Sequence, residues 1–195
     1  MSIKFKSRFP DQFEMVPGPE GHYASKLISL RDFPPGQKLA QLGEECKISH
    51  KAYTSVQFAN EADGKSAHFE LGSELVYINH SCNPNVAFEL PGGWRGLEEG
   101  RWCLRSLSEI KKGDALNFAY FSTEWDMDKP FHRFFRACKP KLKPVPLLHR
   151  CLCCSEGCLG EIRGAKHLSK KILDKYFINE HIEKMIAADQ QCEKS

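Results

Sequence analysis

Short runs of alternating apolar and polar residues fill most of the chain before residue 120. Residues 53–59 alternate and carry β-branched and aromatic side chains, as a half-buried strand does. Turn residues such as Pro34-Pro35-Gly36 and Asp63-Gly64 separate these runs. The predicted strands lie in residues 25–30, 37–42, 53–59, 68–71, 86–90, 101–106 and 115–120. Many short strands with turns between them predict a mostly β domain that is built from small sheets.

Other segments depart from this β pattern. Residues 1–15 show no clear periodicity and predict a loosely held arm. Residues 74–77 predict a single helical turn with Ser73 as its cap. From His167 the pattern becomes helical, with a broad apolar stripe. Its members are Leu168, Ile172, Leu173, Tyr176, Phe177, Ile182, Met185 and Ile186. The stripe indicates a helix that packs on the domain; a partner-binding helix is the alternative.

Residues 132–150 hold three prolines and eight Lys, Arg or His residues, which disfavour regular structure. This composition is typical of a surface loop. A basic recognition loop and a retained intron sequence are the two other interpretations.

The bulk composition indicates a globular protein of one domain with appendages. The chain has 195 residues, of which 41% are hydrophobic and 27% are charged. A net charge of only +3 argues against direct nucleic-acid binding by the whole chain. The first ten residues lack the apolar centre of a signal peptide, and no run reaches the length of about 18 apolar residues that a membrane span needs. We therefore expect an intracellular protein of the nucleus or cytoplasm, without a membrane partner.

The cysteines indicate a metal site rather than a disulfide framework. There are nine of them, an odd number, and four lie between Cys151 and Cys158. Clustered thiols in a chain without a secretory signal are better explained by metal ligation.

The segment from Asn79 to Val86 is rich in residues that favour turns and local side-chain-to-backbone bonds, yet apolar residues flank it on both sides. Composition alone is compatible with a surface loop, and also with backbone arranged around a ligand.

Four motifs in order resemble those of the SET-domain lysine methyltransferases. Asn79-His80-Ser81-Cys82-Asn83-Pro84-Asn85 resembles the Asn-His-Ser-Cys-x-Pro-Asn signature of that family. Residues 21–36 resemble its opening hairpin, residues 110–120 its Gly-Glu-Glu-Leu-x-Phe-Asp-Tyr strand, and residues 151–158 the Cys-x-Cys-x-x-x-x-Cys element that follows the domain. The similarity covers about residues 16–186. It implies the SET fold of several small sheets, with a knot-like threading near the active site and a few helices.

The resemblance implies one structural zinc ion. Cys151, Cys153 and Cys158 supply three thiolates, and the family takes the fourth from its Asn-His-Ser-Cys signature, which is Cys82 here. Such an ion would hold the C-terminal segment against the cofactor pocket. In the alternative arrangement Cys154 replaces one of these ligands.

The resemblance also implies S-adenosylmethionine as the cofactor. The family's contacts fall on two groups of residues here, which are Glu20, Gly21, His22 and Tyr23 in the opening hairpin and Asn79 and His80 in the signature. Pro19 stands where the family has a glycine, and Gly18 lies one position earlier.

The family's essential tyrosine corresponds to Tyr120, whose hydroxyl would orient the substrate amine and the methyl group. Phe118 corresponds to a residue that lines the lysine channel, and a phenylalanine there leaves room for products beyond monomethyllysine. Trp125 either walls this channel or packs in a corner of the fold. Ala119 and Asn117 replace the family's usual aspartate and threonine.

The expected organisation is an N-terminal arm (1–15), a SET domain (16–131), a basic Pro-rich insertion (132–150) and a post-SET cysteine element with a C-terminal helix (151–195). The implied function is methyl transfer from S-adenosylmethionine to a lysine side chain of a protein substrate. The alternatives are a non-catalytic SET-fold binding module, and a methyltransferase that acts on a non-histone protein or a small-molecule amine.

Overall fold

The fold consists of small β-sheets with short helices, as the sequence pattern predicts. A computed structural model describes residues 7–19, 24–63, 66–127 and 151–192. The strands are β1 (Phe13–Val16), β2 (Lys26–Ser29), β3 (Lys38–Gln41), β4 (Lys47–Ser49), β5 (Ser55–Gln57), β6 (His68–Glu70), β7 (Asn79–His80), β8 (Val86–Glu89), β9 (Cys103–Ser106) and β10 (Asn117–Phe118). The α-helices are α1 (Gly93–Glu98), α2 (Lys170–Leu173) and α3 (Glu180–Cys192). Short 3₁₀ turns cover Glu61–Asp63, Glu74–Tyr77, Tyr120–Ser122 and Ala165–His167.

Four sheets organise these strands. Strands β1 and β2 form an antiparallel pair, β3-β9-β8 and β4-β6-β5 form antiparallel three-stranded sheets, and β10 pairs with β7 in parallel. Every strand is short because turn residues recur every few positions along the chain.

The core between the sheets is rich in aromatic residues. Trp102 is completely buried, with its ring centroid 4.8 Å from that of Phe69 and 5.5 Å from that of Phe58. A second apolar cluster joins the 3₁₀ turn at Tyr120–Ser122 to the C-terminal helices, and it comprises Ala119, Phe121, Ala165, Leu173, Ile182 and Met185. The C-terminal segment is therefore part of the folded unit.

The N-terminal segment differs from the expected loose arm. Phe13 is buried, and β1 pairs with β2 over four residues. The buried carboxylate of Glu74 accepts hydrogen bonds from the Ser7 hydroxyl (2.6 Å) and from the backbone N–H of Phe9 (2.8 Å). This attachment depends on a distant residue, which local periodicity does not reveal.

The predicted strands at 25–30 and 37–42 are both present as β2 and β3, and they belong to different sheets, because β2 joins β1 and β3 joins β9. One further expectation needs correction. The single C-terminal helix expected from His167 is interrupted between Leu173 and Glu180. The turn at residues 74–77 is confirmed, although the Ser73 side chain makes no capping hydrogen bond. The insertion at 132–150 lies outside the described residues.

Candidate functional site

The signature at Asn79–Asn85 and the strand that precedes Tyr120 meet where β7 and β10 pair. Asn79 is in register with Asn117, and His80 with Phe118. The backbone N–H of Ser81 donates to the carbonyl oxygen of Phe118 at 3.0 Å. This crossing of residues 79–85 with residues 115–118 places the Asn-His signature beside Tyr120.

Tyr120 begins the 3₁₀ turn after β10, and aromatic rings surround its own ring. The Phe118 centroid lies 4.8 Å away and the His80 centroid 5.2 Å away. Burial raises the pKa of Tyr120 above its usual value, with the nearby Tyr53 adding to the effect. The phenol is therefore protonated at neutral pH and can both donate and accept a hydrogen bond.

The His80 side chain connects Tyr120 to the cysteine cluster. Its Nδ1 accepts a hydrogen bond from the backbone N–H of Tyr120 at 3.1 Å. In the neutral ring the proton must then be on Nε2, which lies 3.4 Å from Sγ of Cys82. Asn79 fixes the other side of the segment, because its Nδ2 donates to the carbonyl oxygen of Ser25 at 2.8 Å.

Four cysteines that are distant in sequence lie together behind this segment. The Sγ atoms of Cys82, Cys151, Cys153 and Cys158 are all within 4.8 Å of one another. Four thiolates bound tetrahedrally at about 2.3 Å from zinc are about 3.8 Å apart. The Sγ atoms of Cys82 and Cys151 are 3.7 Å apart, so the arrangement fits a structural zinc ion. Cys154 is exposed and is not a member of this group.

Hydrogen bonds around the cluster favour thiolates. Backbone N–H groups of Leu159 and Gly160 donate to Sγ of Cys82 and of Cys158, both at 3.4 Å. The hydrogen bond with Cys151 and the one with His80 lower the pKa of Cys82 to about 4, although burial opposes them. The same contact with Cys82 raises the pKa of Cys151. These contacts stabilise a thiolate on Cys82, which is the form in which cysteine binds a metal.

The C-terminal segment covers this region through contacts that the sequence did not predict. The Tyr176 hydroxyl donates to the carbonyl oxygen of Cys82 at 2.9 Å, and the Tyr176 ring packs edge-on against Phe121. Buried Asn179 donates through Nδ2 to the carbonyl oxygens of Phe88 (2.9 Å) and Ser122 (3.0 Å). Its Oδ1 accepts from the backbone N–H of Leu90 at 2.9 Å. An asparagine between helical segments is common, so the sequence carries no signal for this role.

The two residues predicted to line the substrate channel have different surroundings. Phe118 is buried beside Tyr120 and meets Phe88 edge-on, with ring centroids 4.9 Å apart. Trp125 packs against the second apolar cluster, and its backbone N–H donates to Oε1 of Gln57 at 2.8 Å. These contacts support the interpretation of Trp125 as a packed corner.

The predicted cofactor residues Glu20, Gly21, His22 and Tyr23 lie outside the described residues. The two ends of this segment approach closely, because the backbone N–H of Gly18 donates to Oγ of Ser25 at 3.1 Å. A Cβ atom at position 18 would lie 2.5 Å from the carbonyl carbon of Ala24. Only glycine allows this approach without a shift of the backbone.

A buried carboxyl group that sequence reasoning assigned no role lies close to Tyr120. Glu124 is 9% exposed, and its Oε1 accepts a hydrogen bond from the backbone N–H of Gln57 at 2.8 Å. Burial raises the pKa of this carboxyl group to about 7. In the sequence Glu124 looks like one polar residue of a connecting loop.

Comparison with known proteins agrees with this geometry. The SET domain family matches residues 24–121. Methyltransferase flvH of Aspergillus flavus is 30% identical over 181 residues, which are 93% of this chain and 84% of flvH. The chain belongs to the SET domain family, and this membership together with the methyltransferase relative supports methyltransferase activity.

Two solved structures also resemble the chain. One is a crystal structure of KRYPTONITE in complex with mCHH DNA, an H3(1-15) peptide and SAH, with 15% identity, 82% coverage of this chain and a TM-score of 0.47. The other is KRYPTONITE with mCHG DNA and SAH, with 16% identity, 77% coverage and a TM-score of 0.46. The chain spans 30% and 29% of the lengths of those proteins.

Helices long and apolar enough to cross a bilayer are absent from the described part of the chain.

Proposed function

We propose that the protein transfers a methyl group from S-adenosylmethionine to the side-chain amine of a lysine in a protein substrate. The observation that carries this proposal is the connected arrangement of Tyr120, His80 and Cys82 at the crossing of β7 and β10. Membership of the SET domain family and the similarity to a methyltransferase support it. The SAH in the KRYPTONITE complexes supports the choice of cofactor.

The protein's part in such a reaction is mainly positioning. The cofactor, when bound, supplies an electrophilic methyl group on a sulfonium. The residues that would hold it are Asn79 and His80, together with Glu20–Tyr23 of the opening hairpin. The protonated hydroxyl of Tyr120 would orient the amine towards the methyl group. Holding the two reactants in line contributes most of the rate in reactions of this kind.

The amine must be neutral to attack, whereas a free lysine has a pKa of roughly 10.4. The apolar ring of Phe118 beside Tyr120 would remove water from the amine and lower its pKa. Phe118 also offers no hydroxyl that would crowd a methylated amine, which supports products beyond monomethyllysine.

A zinc ion at Cys82, Cys151, Cys153 and Cys158 would hold the post-SET segment (151–195) on the SET domain (16–131). The ion would be structural, because four protein thiolates leave no open coordination position. We place the protein in a reducing compartment, nucleus or cytoplasm, because such a thiol cluster needs one.

Replacement of Tyr120 by phenylalanine tests the proposed activity. We expect Tyr120→Phe to reduce the methylation rate by about 100-fold or more, because one positioned hydroxyl near the reacting atoms is worth roughly that much. The measurement is incorporation of radiolabelled methyl from S-adenosylmethionine into proteins of a whole-cell lysate, with zinc present.

Cofactor affinity is the control for this variant. The affinity of Tyr120→Phe for the cofactor should stay within about twofold of the wild-type value, because the ring that packs on Phe118 and His80 is kept. Label incorporation at the wild-type rate by Tyr120→Phe would contradict the role of Tyr120. A wild-type protein that binds the cofactor but labels no protein band would contradict the protein substrate.

A further inference from the structure

Glu124 is a buried acid that the proposed chemistry leaves without a task. Its side chain is 9% exposed, and it follows Tyr120 by four residues. A buried carboxylate is costly unless its charge is compensated. The groups around Glu124 therefore show how far the charge of its carboxylate is compensated.

Glu124 directly follows the 3₁₀ turn that begins with Tyr120. The backbone N–H groups of Thr123 and Glu124 both donate to the carbonyl oxygen of Tyr120, at 3.0 and 2.9 Å. Glu124 and Tyr120 are therefore the two ends of one closed turn. The charge of Glu124 is also one of the causes that raise the pKa of Tyr120, so the two groups lie within electrostatic range of each other.

The hydrogen bonds of Glu124 use only one of its two carboxyl oxygens. Oε1 accepts from the backbone N–H of Gln57 at 2.8 Å and lies 3.5 Å from Oγ1 of Thr123. Within residues 7–19, 24–63, 66–127 and 151–192, no donor reaches Oε2. The structural role of Glu124, which is to fasten β5 to the turn after Tyr120, therefore leaves Oε2 available.

Among the described residues, no ammonium or guanidinium group forms an ion pair with the carboxylate of Glu124. Burial raises the pKa of Glu124 to about 7, the Gln57 N–H and Lys51 lower it, and Glu61 raises it. The Lys51 ammonium already contacts the backbone oxygen of Asp126 and lies 3.9 Å from Glu61. From α3, His181 contacts the Thr123 carbonyl oxygen, and burial lowers its pKa to about 4, so it brings no charge.

We infer that Oε2 of Glu124 is the acceptor that holds the cationic amine of the substrate beside the hydroxyl of Tyr120. The inference rests on the proposed function and makes it more specific, because the site then selects a primary alkylammonium group. A charge-assisted hydrogen bond between carboxylate and ammonium supplies the recognition. The ammonium proton then passes to Oε2, while its electron pair stays on nitrogen for the attack on the methyl group. The resulting carboxylic acid releases that proton to water.

Binding of n-butylammonium, a probe of the lysine side chain, tests the inference without turnover. The experiment compares the full-length zinc-loaded wild type with Glu124→Gln, both saturated with S-adenosylhomocysteine, by NMR titration at pH 8. We expect Glu124→Gln to bind the probe at least about tenfold more weakly. Its glutamine Oε1 still accepts the hydrogen bond from Gln57, so the turn should keep its structure.

Glu70→Gln is the matched control, because it removes the same charge from β6, which pairs with β5, and Glu70 is not among the groups that shift the pKa of Glu124. This control should bind n-butylammonium as the wild type does. Glu124→Asp keeps the charge, and it should retain more probe binding than Glu124→Gln. All four proteins should bind S-adenosylhomocysteine within about twofold of one another.

Equal probe affinities of wild type and Glu124→Gln would overturn the inference, and so would a wild type that does not bind n-butylammonium. If Glu124→Gln fails to fold, the comparison of Glu124→Asp with Glu70→Gln decides, because the shorter carboxylate should bind the probe more weakly than this control, and equal binding by the two would overturn the inference. A wild type that binds the probe through Glu124 but methylates no amine would contradict the proposed function alone.

Discussion

Single polar side chains connect distant segments of this protein. His80 contacts the Tyr120 backbone and Cys82, and Glu74 holds the backbone of residues 8 and 9. Each of these residues is buried, so each loses water contacts that its partners must replace. Removal of such a residue should therefore have larger effects than its single hydrogen bonds suggest.

The buried carboxylate of Glu74 should contribute to the stability of the fold. Burial opposes the charge of Glu74, but hydrogen bonds from Arg8, Ser7 and Phe9 outweigh it and lower the pKa of the carboxyl group. Glu74→Gln should reduce the free energy of unfolding by about 2 kcal/mol, because charge-assisted hydrogen bonds to a buried group are lost. Urea denaturation at pH 7 measures the effect.

The pH dependence of this effect has a definite sign. Because the folded pKa lies below the unfolded value, the contribution of Glu74 is present above an unfolded pKa of about 4.3 and is lost as the pH falls through the folded value. The gap between wild type and Glu74→Gln should therefore narrow in acid. Glu14→Gln, on an exposed side chain of β1, should leave stability unchanged. A gap that persists at pH 2 would contradict this assignment.

Residues that carry chemistry in a distinctive pattern could be predicted, and residues that act by packing could not. The spacing of Cys151, Cys153 and Cys158 and the signature around Cys82 indicated a joint site, and the structure brings the four thiols together. Glu124 occurs in a loop-like segment, where one acid among polar residues carries no signal. Its burial results from the contact with Gln57 on a strand that is 67 positions away.

At the scale of elements, the C-terminal segment is fastened mainly by the residues between its helices. Tyr176 reaches the backbone of Cys82, and Asn179 joins β8 to the turn that begins with Tyr120. The helix was predicted as continuous because its apolar stripe has helical spacing throughout. Buried contacts of Asn179 with three backbone groups interrupt it, and these partners are about 57 to 91 positions away in sequence.

Asn179→Ala tests this fastening. We expect a loss of about 2 to 4 kcal/mol of stability, because three buried backbone groups lose their partner. The methylation rate should fall by more than the loss of folded protein explains, since the turn of Tyr120 is released from α3. Thermal unfolding and the labelled-methyl assay at a temperature where both proteins are folded separate the two effects.

Gln190→Ala is the control, because Gln190 is an exposed residue of the same helix. It should change neither quantity by more than a small amount. An Asn179→Ala variant with wild-type stability would show that the helix is held by its apolar face alone.

For the sheets, the sequence predicted the positions of strands but not their pairing. Local alternation predicted where strands occur, such as β5 and β8, because it reports which side chains face the core. It did not predict that β3 pairs with β9 instead of β2, since pairing depends on segments far apart in the chain. The resemblance to a family supplied the crossing of β7 and β10, which periodicity alone does not indicate.

At the scale of the whole molecule, the cysteine cluster joins the middle of the chain to its C-terminal segment. We expect one zinc ion per chain and a loss of most of it in Cys82→Ser, because three thiolates hold zinc less tightly than four. Elemental analysis of the purified proteins measures the content. The variant should also unfold at a lower temperature, since binding energy of the metal is folding energy.

Cys154→Ser is the control for this set of ligands, because Cys154 is exposed and lies outside the group. It should keep one zinc per chain. Equal zinc content in wild type and Cys82→Ser, or loss of zinc in Cys154→Ser, would contradict the assignment of ligands.

The separation between Cys82 and its sulfur partners has a consequence for biosynthesis. Cys151 follows Cys82 by 69 positions, so a ribosome that adds about 5 to 20 residues per second makes it roughly 3 to 14 seconds later. During that interval the nascent chain carries the Cys82 thiol without its sulfur partners, open to oxidants and to stray metal ions. The yield of intact protein should therefore depend on the redox state and free zinc of the producing cell as well as on codon speed between these positions.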